Sequence, residues 1–171
     1  MNRIDCHGFF GEVLAGRLAD CLSVAMDCGG EIVYEYCGTN GVKPEYAEFS
    51  RNTRFNIGSV TKIITAALVV KLIERGRLSA YEKVRSHIPD FPFGDVEVQH
   101  LLMHTSGCAC SAPWAEAKES GERAYLEKIY AGIRRVEPPG TAMSYWTAGY
   151  SILMDLIHLK TGMSLECYES Q

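Results

Sequence analysis

The stretch S-V-T-K-I-I-T-A-A-L-V-V-K-L-I-E, Ser59 to Glu74, constrains the fold of this chain more than any other. Its apolar residues fall on nearly every side of a helix, and such a helix must be surrounded by protein. It is therefore expected to be the central helix, ended by Gly76, since glycine accepts the left-handed conformation past a helix C-terminus. The apolar run between Lys62 and Lys71 is too short for the roughly 20 residues that cross a bilayer, so no membrane span is expected.

The flanking sequence supplies the cover. Helical spacing from Glu12 to Cys21 places Val13, Leu14, Leu18 and Leu22 on one side. Leu22–Met26 and Ile32–Tyr36 are β-prone runs, and Asp27-Cys28-Gly29-Gly30 between them predicts a hairpin turn. Thr39 to Arg54, with Asn40-Gly41 and Pro44, predicts a loop leading to a short extended segment at Phe55-Asn56-Ile57. After a break at Ile88-Pro89-Asp90-Phe91-Pro92, the chain predicts a short helix from Val96 to His104 and a longer polar one from Gly121 to Val136. Pro138-Pro139-Gly140 is a firm stop. Ala148 to Lys160 is helical again through Ile152, Leu153, Leu156, Ile157 and Leu159, with Gly162 and a new start at Ser164 after it.

Composition excludes some functions. A net charge of -4 gives no basic surface for nucleic acid. No signal peptide is visible in the N-terminal residues, because Asp5 and Glu12 interrupt any apolar core, so a cytoplasmic protein, or a mature segment cut from something longer, is expected. Seven cysteines, Cys6, Cys21, Cys28, Cys37, Cys108, Cys110 and Cys167, are an odd and scattered set that fits reduced thiols better than a disulfide framework.

Ser59 and Lys62 carry the chemistry of the apolar stretch. Ser59 could be an N-cap, its hydroxyl accepting from a first-turn amide. A capping box, however, puts Glu or Gln where Lys62 stands, and the positive end of the helix dipole opposes a lysine. Residues three apart on a helix share a face, so the ammonium can reach the hydroxyl. A buried helix would also strip water from Lys62 and make it a better proton acceptor, while the helix N-terminus would favour negative charge on an attacked carbonyl. With twelve serines and seven lysines in the chain, one accidental S-x-x-K is expected about half the time, so the pair alone is a weak signal.

Three stretches in order add specificity: RFNIGSVTKIITAALVVKLIERGRLS (Arg54 to Ser79), VQHLLMHTSG (Val98 to Gly107) and PPGTAMSYWTAGYSIL (Pro138 to Leu153). Together they resemble the serine β-lactamase family in its class C and DD-peptidase-like branch, related to the penicillin-binding proteins, in which S-x-x-K marks the nucleophile. The resemblance runs from about Leu22 onward and implies an α/β (α+β) fold of the β-lactamase/transpeptidase type. It implies the N-terminal portion of that domain over residues 1–171: an N-terminal helix and hairpin (1–58), the nucleophile helix (59–76) and a helical region (77–171), with the C-terminal strands absent. It makes Ser59 the nucleophile of an acyl-enzyme, Lys62 its proton partner and Tyr145 the second acid/base. A phenol serves as a base at neutral pH only beside positive charge, which Lys62 provides.

Two departures from the family stand out. Its Tyr-x-Asn motif reads Tyr145-Trp146-Thr147 here, so Thr147 takes the place of a substrate-binding amide with one hydroxyl. Its third motif, Lys-Thr-Gly or His-x-Gly on a strand, lies further along than this sequence reaches. The literal Lys160-Thr161-Gly162 is bounded like a helix C-terminus and is expected to be one. The chain accordingly resembles the first half of an enzyme that acylates a serine with a β-lactam, D-alanyl peptide or ester. The isolated chain is then expected to be inactive, with open strand edges, exposed apolar surface and a route to self-association.

The resemblance implies no cofactor, and its partners are a small-molecule or peptide substrate. Two other readings stand beside the hydrolase: a non-catalytic remnant or binding module, and a metal site built from His100, His104, Cys108 and Cys110. Two cysteines one residue apart chelate poorly, and His104-Thr105-Ser106-Gly107 already belongs to the family loop, so no metal is expected. Trp114 and Tyr125 are candidates for a substrate rim but fit packing as well. The mixed charges from Glu116 to Lys128 fit a solvated face.

Overall fold

In a computed structural model of the chain, residues 6–110 and 122–163 are described. They fall in two compact units, Met1–Asn56 and Ile57–Gln171.

The first unit opens with α1 (Cys6–Ala15), which packs on a hairpin of β1 (Cys21–Cys28) and β2 (Glu31–Thr39). Phe10 lies against Tyr34 and Tyr36 of β2, with ring centroids 6.0 and 5.4 Å away. The hairpin turn is where the glycines predict it: Gly29 and Gly30 both take left-handed backbone, φ 67° and 88°, which a two-residue turn between twisted strands requires. The strands run further than the β-prone runs suggest, because the ladder continues through polar positions to Cys21↔Thr39.

Two expectations fail between α1 and Ile57. The helix does not continue to Cys21. It closes at Ala15, where Arg17 turns left-handed at φ 57° and the Leu18 amide donates back to the Val13 carbonyl at 3.0 Å. Leu18 is left 81% exposed, and Leu22 becomes a strand residue. The extended segment expected through Phe55-Asn56-Ile57 stops short of Ile57, which has φ -77° and ψ -1°, outside the extended region, and opens the second unit.

The second unit is helical. It contains α2 (Thr61–Glu74), α3 (Val98–Leu102), α4 (Glu122–Gly132) and α5 (Thr147–Thr161), with a short strand pair β3 (Cys108–Ala109) and β4 (Arg134–Arg135). The polar helix thus stops at Gly132 rather than Val136, and its expected last turn is β4. α2, α3 and α4 all pack on α5. Ile152, Leu153, Leu156 and Ile157 are sealed in the core with Val69, Leu72, Leu101 and Ile129.

α5, not α2, is the central helix among the described residues. α2 buries Thr65, Leu68, Val69 and Leu72 on one side but leaves Ile63 70% exposed and Val70 45%. All-round apolarity shows that a helix needs cover; it does not show which residues give it. α5 ends as expected, with Gly162 left-handed at φ 71° and its amide donating to the His158 carbonyl at 2.7 Å. Lys160-Thr161-Gly162 is therefore a helix C-terminus. No disulfide joins the described cysteines, and no described helix is long and apolar enough to cross a membrane.

Candidate active site

Ser59 lies in a single 3-10 turn, Gly58–Val60, that leads into α2. The residue capping α2 is Val60, which offers no side-chain cap bond, so the Ser59 hydroxyl is not used as a helix cap. It meets two other groups instead. The Lys62 ammonium donates to Ser59 Oγ at 3.3 Å, and the Tyr145 phenol donates to the same oxygen at 2.8 Å across 86 residues of sequence. Lys62 Nζ also sits 5.1 Å from the Tyr145 ring centroid and 5.8 Å from that of Tyr150.

Tyr145 is carried there by a backbone ladder. After α3 the chain turns at His104 and Gly107, both left-handed, and runs beside the segment that leads to α5. Gly107 O accepts from the Val136 and Glu137 amides, Thr105 O from the Gly140 amide at 2.8 Å, and His104 O from the Ser144 amide at 2.8 Å. The approach is so close at Gly107 that a Cβ would lie 2.0 Å from the Glu137 carbonyl oxygen, so no other residue fits. The sequence stretches Leu101–Gly107 and Pro138–Tyr145 are thus the two sides of one structure.

Charge at the site follows from these contacts. The Lys62 ammonium and then the Ser59 hydroxyl, both within reach of the phenol oxygen, hold Tyr145 below the usual tyrosine range, with the Thr147 hydroxyl adding to them against partial desolvation. Burial, helped by the nearby Lys62 charge, pushes His104 below the usual histidine range. Burial pushes Tyr150 up. Ser59 and Thr147 are exposed and Tyr145 is 54% exposed, so the triad stands at an open surface and not at the buried tip that an all-round apolar helix suggests.

Three of the four metal candidates hold other bonds. His100 Nδ1 accepts the Glu97 amide at 3.0 Å and His104 Nδ1 the Trp146 amide at 3.1 Å, while Cys108 is buried and its thiol donates to the Ser106 carbonyl. No group of three His, Cys, Asp or Glu is placed to hold a metal among the described residues. Tyr125 is a core residue, 5% exposed, and Trp114 lies outside the described residues. Sequence reasoning missed Tyr150, whose ring backs His104 at 5.0 Å and whose hydroxyl donates to the Leu102 carbonyl. Its only signal was a third aromatic following Tyr145 and Trp146 at the start of α5.

Residues 16–171 match the protein family described as Beta-lactamase, and the chain belongs to that family. A penicillin-binding protein of Bacillus subtilis (strain 168) is 28% identical over 92% of this chain and 34% of its own. Penicillin-binding protein 4 of Amycolatopsis lactamdurans is 34% identical over 64% of this chain and 30% of its own. The octameric penicillin-binding protein homologue from Pyrococcus abyssi is 27% identical in sequence and superposes with a TM-score of 0.75 over 99% of this chain and 42% of that one. The fold is therefore the β-lactamase/transpeptidase-like one, and the chain spans roughly a third to two-fifths of the relatives' length.

Proposed function

We propose that this chain carries the nucleophile of a serine hydrolase of the β-lactamase/DD-peptidase type, acting on a β-lactam, a D-alanyl peptide or an ester. Ser59 Oγ attacks the carbonyl carbon while its proton passes to the oxygen of Tyr145 in its phenolate form, which the Lys62 ammonium stabilises. The tetrahedral centre then collapses with cleavage of the carbonyl–nitrogen or carbonyl–oxygen bond. Tyr145 returns the proton to the leaving group, and the acyl-serine is released to water. Thr147 contacts the substrate beside Tyr145, in place of the family's asparagine. The observation that carries this reading is the contact of both Lys62 and Tyr145 with the single oxygen of Ser59.

A binding module without turnover is the second reading, favoured by Thr147 in place of the family's asparagine. Incubation with a fluorescent penicillin, followed by denaturing electrophoresis, separates the two. Covalent label that disappears in Ser59→Ala supports the hydrolase. Label that survives the substitution removes Ser59 from its role, and retention of penicillin by the native protein without covalent label supports the binding module.

A further inference from the structure

We infer that His104 is a positioning residue that holds the Tyr145 phenol on Ser59 only while its imidazole is neutral, which makes the site acid-sensitive; the inference rests on the hydrolase reading for its kinetic consequence. His104 grips both neighbours of Tyr145. Its carbonyl accepts the Ser144 amide at 2.8 Å and its Nδ1 accepts the Trp146 amide at 3.1 Å, while its ring lies 4.5 Å from the Tyr145 ring at 35°. Tyr150 closes the other contact at 5.0 Å. The grip is held in left-handed backbone, φ 56°, which a residue with a Cβ rarely adopts.

A backbone amide can only donate, so Nδ1 must be the acceptor and the ring proton must sit on Nε2. Protonating Nδ1 would set a donor against the Trp146 donor and add a second cation near Lys62. The titratable groups around the ring are Lys62 from α2, Tyr145 from the segment before α5 and Tyr150 from α5, with His100 on the preceding helix bound to the Glu97 amide. Among the described residues the groups acting on the His104 imidazole are Lys62 and the Trp146 amide, with no carboxylate to offset its charge. Acid therefore releases the Trp146 end of the grip and frees the phenol to leave Ser59. The direction agrees with a histidine whose burial favours the neutral form.

His104→Asn tests this, because Asn tolerates left-handed backbone and offers an Oδ1 acceptor that does not titrate. Penicillin acylation rates of the parent and the variant are compared from pH 8 to pH 5. The variant-to-parent ratio in the covalent step is expected to rise about tenfold over that range, with no matching change in penicillin affinity. Parallel profiles would overturn the inference and leave the hydrolase reading standing. If the parent is not acylated, as is expected of the isolated chain, NMR of the parent decides the inference by itself. The Trp146 amide and the Tyr145 ring resonances are expected to shift with the His104 imidazole at one midpoint, and a His104 titration that leaves the Trp146 amide unmoved would overturn it.

Discussion

At the scale of single residues, the proposed chemistry turns on the phenol oxygen of Tyr145. It lies 2.8 Å from Ser59 Oγ and its acidity is raised by Lys62. Tyr145→Phe keeps the ring against His104 but removes the proposed proton acceptor, so any penicillin acylation of Ser59 is expected to fall about 10²- to 10⁴-fold in a stopped-flow or gel-based rate measurement. In the parent the rate should climb with pH as the phenolate forms, through a midpoint lower than a free tyrosine's. Ser59 and Lys62 were legible in the sequence because a spacing of three on a helix puts them on one face, whatever else the chain does. Tyr145 was legible only through its motif, since no local rule joins residues 86 apart. The double grip of His104 was not legible, because it depends on a left-handed turn that sequence favours for Gly and Asn.

At the scale of elements, α5 organises the second unit, and it does so around a buried acid. Asp155 is 5% exposed and accepts a 2.6 Å bond from the Tyr130 hydroxyl of α4. Burial, and then the Asp155 carboxylate, push the Tyr130 phenol far above its ordinary value. A group raised in the folded state stabilises it fully below its unfolded value near 10, and that contribution is lost as pH rises beyond about 10. Tyr130→Phe should therefore cost about 1–3 kcal/mol at neutral pH by leaving Asp155 short of a donor, and should lose less further stability than the parent in alkaline melts. Thermal denaturation at pH 7 and at pH above 10 checks both. The period of 3.6 revealed α5 to within about one residue at each end, because its core face is continuous. It overran α1 and α4, whose ends are set by Arg17 in left-handed backbone and by the pairing of β4 with β3. Neither signal appears in a hydrophobic pattern.

At the scale of the whole molecule, apolar surface and unpaired strand are the salient features. The described residues contain two separate two-stranded sheets, and Ile32 and Val33 of β2 are each 61% exposed. Ile63 and Val70 of α2 are open as well. Such edges and faces associate in water. The purified chain is expected to show concentration-dependent association by analytical ultracentrifugation, reduced by Ile32→Lys, and a strictly monomeric Ile63-exposing protein at high concentration would contradict this. The need for cover was visible in the sequence from the apolar run after Lys62. Its source was not, because hydrophobicity names no partner.

The ladder at Gly107 reaches beyond stability. Gly107 and Val136 are joined by a backbone bond, and Cys108 pairs with Arg135, so the chain departs and comes home at the same doorway. The distance from imidazole to phenol is thereby fixed by the doorway and not by the length of the excursion. Tyr145 is thus moored to its serine from the doorway side, through the bonds of Thr105 to Gly140 and of His104 to Ser144, so a change to either bond would be felt at the Ser59 hydroxyl.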